Sequence, residues 1–113
     1  FGNLLADRNL TPPGGAALPQ KYIVSGHSAG GHFATEVGKR LVARGYADFR
    51  GAILFDPVAA GGFTENIDTI SAGGARAVYA VTGIGSPCNS FNNVHDGLRG
   101  LATPFVGLQL TSS

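Results

Sequence analysis

The sequence is poor in cysteine and in charge. Cys88 is its one cysteine, so no disulfide can form within the chain, and we expect a buried or idle thiol that leaves the redox compartment open. Eight lysines and arginines are balanced by seven aspartates and glutamates, and no basic or acidic run concentrates either sign. We therefore expect no nucleic-acid partner.

Long apolar runs are also missing. The segments 52–55 and 77–81 are far too short to cross a bilayer, and no charged start followed by an apolar stretch opens the chain. We expect neither a membrane span nor a signal peptide in this segment, and the localisation stays open. Because the chain begins with Phe1 and its last apolar run stops just before Ser113, we also expect a piece of a longer protein.

What the sequence does contain is a series of short apolar runs separated by glycines and by one strong amphipathic pattern. Positions 29–44 repeat apolar residues every four positions up to Gly45, which predicts a helix. Weaker helical patterns lie at 1–10 and between Asn92 or Asn93 and Leu101, and 58–75 is interpreted as a glycine-rich loop. Predicted strands cover 22–24, 51–55, 76–82 and 105–110. The fold class expected is α/β, a mostly parallel sheet with helices covering both faces.

The stretch "KYIVSGHSAGGHF" at 21–33 raises the question of a phosphate-binding loop. Gly26 and Gly31 have the spacing of the two glycines in such a loop, but His32 stands where a lysine is required and Phe33 where serine or threonine is required. The dinucleotide pattern GxGxxG also fails, because Ser28 occupies the second glycine position. Nucleotide binding is therefore not expected.

The same stretch matches GxSxG from Gly26 to Gly30, placed between a predicted strand and a predicted helix. A serine on so sharp a turn is lifted out of the sheet edge as a nucleophile, and the amide of Ala29 at the helix N-terminus can serve as half of an oxyanion hole. The alternative is that Ser28 only caps the helix, as serines often do.

A nucleophilic serine needs a carboxylate and a histidine that follow it in chain order. Asp56 ends the next predicted strand at the same sheet edge, and no carboxylate follows the third strand, so we predict Asp56 as the acid; the alternative is a turn-forming aspartate before Pro57. His27 and His32 suit packing or surface roles. His95 is the one histidine after Asp56, but it precedes the fourth strand, where the order rule does not expect the base.

These residues resemble a known family. "GHSAGG", "GAILFDPVAAGG" and "GSPCNSFNNVHDGL" are similar to segments of the α/β-hydrolase superfamily, more narrowly of its chlorophyllase-like branch. The resemblance implies that residues 1–113 form a single partial α/β-hydrolase domain with the central and C-terminal strands. It implies Ser28 as nucleophile and Asp56 as triad acid, with His95 at a non-catalytic position. It also implies a catalytic histidine beyond Ser113, and first strands with the second oxyanion amide ahead of Phe1.

The expected activity is that of a serine hydrolase, esterase-like or lipase-like, which acts on carboxylic esters through an acyl-Ser28 intermediate without metal or organic cofactor. Ala29 replaces the basic residue common in plant chlorophyllases, so a small-molecule or lipid ester is expected rather than chlorophyll. We expect little turnover from the 113 residues alone and a need for the missing sheet half or a partner segment. The alternative function is a non-catalytic α/β binding module that retains the turn as scaffold.

Overall fold

The structure is a computed structural model that describes residues 1–102 and 105–111. Within these residues, four helices and four strands alternate over most of the length, with short 3₁₀ segments between some of them. In chain order these elements are α1 (Gly2–Ala6), β1 (Tyr22–His27), α2 (Ala29–Ala43), β2 (Phe49–Phe55), α3 (Phe63–Ser71), β3 (Ala77–Thr82), α4 (His95–Arg99) and β4 (Phe105–Gln109). Among the helices of these residues, none combines the length and the hydrophobicity that a membrane span requires.

The strands form one sheet in the order β1-β2-β3-β4, and every neighbouring pair is parallel. This confirms the predicted α/β class and the parallel sheet with covering helices. Each predicted strand is present, although β1 continues through Gly26 to His27 instead of ending at the glycine. Residue 110 lies just beyond the end of β4.

One face of the sheet carries the hydrophobic core. In register, Val24 of β1 lies beside Ala52 of β2 and Val78 of β3, and all three are buried. The helices α2 and α3 close over them with the apolar side of each helix, and Leu41, Ile67 and Ile70 are fully buried. Leu98 of α4 extends the same cluster. The core therefore lies between the sheet and a single layer of helices.

The prediction that both faces of the sheet are covered is wrong for the described residues. The opposite face carries a row of large apolar side chains that are about half exposed: Ile23, Phe55, Tyr79, Val106 and Leu108. The physical reason is the sequential strand order. Crossovers between parallel strands are right-handed, so three successive steps in one direction place α2, α3 and α4 on the same face.

The prediction of a loop at 58–75 is also wrong, because α3 occupies its centre. Phe63, Ile67 and Ile70 recur at the spacing of one helix face and are all buried. Glycines at both ends of this segment obscured that short pattern. Gly62, with φ of 89°, begins the helix in the left-handed region that glycine adopts without strain.

Candidate active site

Ser28 lies at the sharp turn from β1 into α2, and its backbone is strained. Its φ of 54° and ψ of −126° are far from the helix and strand regions, and non-glycine residues rarely adopt positive φ. Strain of this kind costs on the order of 1–3 kcal/mol and is concentrated at functional sites. The turn therefore has the backbone expected of a nucleophile elbow, the strained strand-to-helix turn of GxSxG.

The glycines around Ser28 do not contribute equally to this turn. A Cβ atom at Gly26 would lie 2.2 Å from the carbonyl oxygen of Gly30, so the chain can turn back on itself only with glycine at 26. A Cβ at Gly31 would lie 2.9 Å from Cβ of Pro57, which fixes the packing between α2 and the loop after β2. Gly30, the second glycine of the motif, has open space around it. The close approaches are at 26 and 31, and not at 26 and 30.

The hydroxyl of Ser28 does not cap α2. The residue occupies the N-cap position, but its side chain makes no capping hydrogen bond. The capping alternative is therefore wrong for this helix. The first amides of an α-helix have no acceptor within the helix, and Ala29 is the first residue of α2. Its N–H belongs to the positive end of a 15-residue helix, next to the Ser28 side chain, where developing negative charge is favoured.

Asp56 follows β2 directly and lies at the same edge of the sheet as Ser28. Its φ of 43° places a second strained residue at this edge. The backbone N–H of Asp56 donates to the carbonyl of Val81 at 2.6 Å. Its carboxylate atom Oδ1 accepts hydrogen bonds from the Gly83 N–H at 3.1 Å and from Nδ2 of Asn89 at 3.0 Å. Both donors belong to the loop after β3, so this loop sets the orientation of the carboxylate.

The loops that carry Ser28 and Asp56 are joined by backbone hydrogen bonds on either side of the aspartate. The Ser28 N–H donates to the carbonyl of Phe55 at 3.0 Å, and the Val58 N–H donates to the carbonyl of Ser28 at 3.2 Å. These bonds involve backbone atoms only. They therefore fix the relative positions of the Cα atoms of Ser28 and Asp56 independently of the side chains. The structure therefore brings the predicted nucleophile and the predicted acid to neighbouring positions.

None of the three histidines completes this arrangement. His27 is exposed at the end of β1, on the uncovered face of the sheet. His32 lies between the helices, stacked on Phe63 and 3.8 Å from Oε1 of Glu36. His95 is half-buried, and its Nε2 atom lies 3.0 Å from the hydroxyl of Thr82. A base for Ser28 is therefore not among the side-chain contacts of residues 1–102 and 105–111.

The part of the chain that the structure describes also contains no cluster of three histidine, cysteine or acidic side chains that could hold a metal ion. Cys88 is exposed, so the expectation of a buried thiol is wrong.

No protein-family model, no curated protein and no solved structure matches the chain. The geometry of the site is therefore the one basis for a proposed function.

Two asparagines that join the loop after β3 to the loop after β2 were not predicted from the sequence. Asn89 is buried and contacts the Asp56 carboxylate, as described above. Asn93 receives the Ala59 N–H on its Oδ1 atom at 2.9 Å and donates to the Ala59 carbonyl at 3.0 Å. Both residues tie the loop after β3 to the loop after β2. The available signal was the asparagine-rich run "CNSFNN" after a strand end, since asparagine side chains often hydrogen-bond to turns.

Proposed function

We propose that the complete protein is a serine hydrolase of the α/β-hydrolase type that cleaves carboxylic esters. The observation that carries this proposal is the backbone of Ser28, strained at φ 54° and ψ −126° between a parallel strand and a helix N-terminus. A serine that served only packing or capping would have no need of this strain, which a fold retains where the side chain must be presented to a reacting group.

In the proposed mechanism, Oγ of Ser28 attacks the carbonyl carbon of the ester while a histidine accepts its proton. The Ala29 N–H, together with a second donor, stabilises the oxyanion of the tetrahedral intermediate. The histidine then donates that proton to the leaving alcohol, which leaves an acyl-Ser28 ester. Water hydrolyses this ester with the same histidine as base. Asp56 stays ionised throughout and holds the imidazolium in the productive orientation.

The histidine of this mechanism is proposed to come from outside the contacts described above. His95 is engaged by Thr82, and the Asp56 carboxylate is held by Gly83 and Asn89. The uncovered apolar face of the sheet supports the same proposal, because a stable domain would cover Phe55, Tyr79 and Leu108 with further chain. We accordingly propose that the missing sheet half or a partner segment is needed, and that the 113 residues alone turn over little ester.

One observation favours a second candidate function, a non-catalytic α/β binding module. Within residues 1–102 and 105–111, no histidine side chain forms a hydrogen bond with the Ser28 hydroxyl, and an elbow without a base could persist as scaffold. The two functions differ in the reactivity of Ser28. A serine activated by a base reacts covalently with a fluorophosphonate, whereas an unactivated serine does not.

The test is covalent labelling of the complete protein with a fluorophosphonate probe, with two serine variants for comparison. Ser28→Ala should abolish labelling. Ser25→Ala removes an exposed hydroxyl from β1, ahead of the turn, and should leave labelling unchanged. A folded protein that is not labelled would contradict the hydrolase proposal and support the binding module.

A further inference from the structure

We propose that Asn89 is a positioning residue for the acid of the site: it holds one oxygen of the Asp56 carboxylate and leaves the other to face the catalytic histidine. This inference rests on the proposed function. Asn89 is 2% exposed, and its Nδ2 atom donates to Oδ1 of Asp56 at 3.0 Å. The Gly83 N–H donates to the same oxygen. Both donors thus bind Oδ1, and among the described residues no hydrogen bond to Oδ2 is found.

The other hydrogen bonds of Asn89 explain how so short a side chain is held in place. Its Oδ1 atom accepts the N–H of Ser86 at 2.9 Å and the N–H of Asn92 at 3.2 Å. Its Nδ2 atom also donates to the carbonyl of Ile84 at 3.0 Å. The amide group of Asn89 therefore makes four hydrogen bonds, three to the backbone of its own loop and one to Asp56. It cannot rotate away from the carboxylate without breaking its three hydrogen bonds within the loop.

The backbone of this loop is strained in the three residues that follow Asn89. Ser90, Phe91 and Asn92 follow Asn89 in succession with φ of 51°, 53° and 56°, which is the left-handed region that side chains disfavour. Three such residues in a row persist only where surrounding contacts determine them, and such strain is typical of functional sites. The turn returns the chain to the Asn89 side chain and buries it beside Asp56.

An aspartate so held presents a fixed lone pair to its histidine, which is what the acid of a serine triad must do. Asn89 does not touch the reacting atoms in this account. It acts through Asp56, so its contribution should disappear when Asp56 can no longer act. A residue that only stabilised the loop would lower activity by the same factor with or without a functional acid.

The experiment is a double-mutant cycle on ester hydrolysis by the complete protein, with Asn89→Ala, Asp56→Asn and the combined variant. We expect Asn89→Ala to lower kcat by about tenfold to hundredfold, the range for a lost hydrogen bond to a charged group, with KM little changed. In the Asp56→Asn background the same change should lower kcat by less than about twofold, as in coupled networks. Asn93→Ala is the matched control, because it removes two bonds between the same loops without touching Asp56.

The outcomes separate this inference from the proposed function. If Asp56→Asn lowers kcat but Asn89→Ala does not, or if Asn89→Ala has equal effects in both backgrounds, the positioning role is overturned and the proposed function stands. Equal losses for Asn93→Ala and Asn89→Ala would likewise reduce Asn89 to a loop residue. If neither Ser28→Ala nor Asp56→Asn changes the rate, the proposed function fails and the role of Asn89 fails with it.

Discussion

The carboxyl edge of the sheet differs between its β1–β2 part and its β3–β4 part. At the ends of β1 and β2, Ser28 and Asp56 both have strained backbones, and backbone hydrogen bonds join the loops that carry them. Gly26 and Gly31 allow the close packing of the chain around Ser28. Toward β3 and β4, His95 lies in a short helix and is paired with Thr82 on the covered face of the sheet. Ser28 and Asp56 have the features of an active site, whereas the contact between His95 and Thr82 has those of a core boundary.

The difference follows from the way in which a parallel sheet brings side chains together. Parallel strands end at a common edge, so residues that directly follow neighbouring strands are brought together by backbone hydrogen bonds alone. Ser28 and Asp56 are residues of this kind. A histidine within a helix has no such constraint, and α4 turns His95 toward Thr82 instead. The proposed nucleophile and the proposed acid can therefore be brought together without the base.

Among the substitutions that test this comparison, the largest loss of activity is expected at Asp56. Asp56→Asn keeps the size of the side chain and an oxygen that can still accept from Gly83 and Asn89, but it cannot stabilise an imidazolium. We expect kcat for a p-nitrophenyl ester to fall by about 10⁴-fold in the complete protein, as for loss of the acid in a serine triad. Steady-state kinetics measure this, and an unchanged kcat would remove Asp56 from the site.

A smaller effect, on stability, separates the two glycines of the motif. Gly26→Ala places a Cβ against the Gly30 carbonyl, so the turn must shift, and we expect the free energy of unfolding to fall by about 1–3 kcal/mol. Gly30→Ala meets open space in a helix, where alanine is preferred, and should change the free energy by less than about 1 kcal/mol. Urea denaturation followed by circular dichroism compares them. Equal losses for both variants would refute the unequal roles of the two glycines.

The smallest effect is expected at His95. Glutamine at this position can still bond to the Thr82 hydroxyl, so His95→Gln should leave kcat for the same ester within about twofold, as for a residue outside the site. Steady-state kinetics on the complete protein check this. If the loss instead approaches that of Asp56→Asn, His95 is the base, and the contrast between the two parts of the sheet edge is wrong.

Much of the fold was predictable because short apolar runs and one long amphipathic pattern dominate the sequence. The four strands and α2 follow from periodicity, and the position of Asp56 follows from the rule that parallel strands end at one edge. The helix α3 was missed because only Phe63, Ile67 and Ile70 carry its pattern, between glycine-rich ends. The one-sided covering was missed because it depends on strand order, which periodicity does not encode.

The candidate site was predictable in part for a related reason. GxSxG describes a local turn, so Ser28 and Ala29 could be found from five consecutive residues. Asn89 could not, because its role depends on a left-handed turn at 90–92 that brings an asparagine 33 positions away against Asp56. Residues that act across loops are visible only once the chain has folded.

The central claim is that Ser28 is an activated nucleophile, and mapping the fluorophosphonate adduct tests it most directly. Trypsin cleavage after Lys21 and Lys39 releases residues 22–39, which contain Ser25, Ser28 and Thr35, so fragment ions must assign the modified residue. The account predicts a single adduct on Ser28 in the complete protein and none in Ser28→Ala. An adduct on another residue, or a folded protein that stays unlabelled, would contradict it.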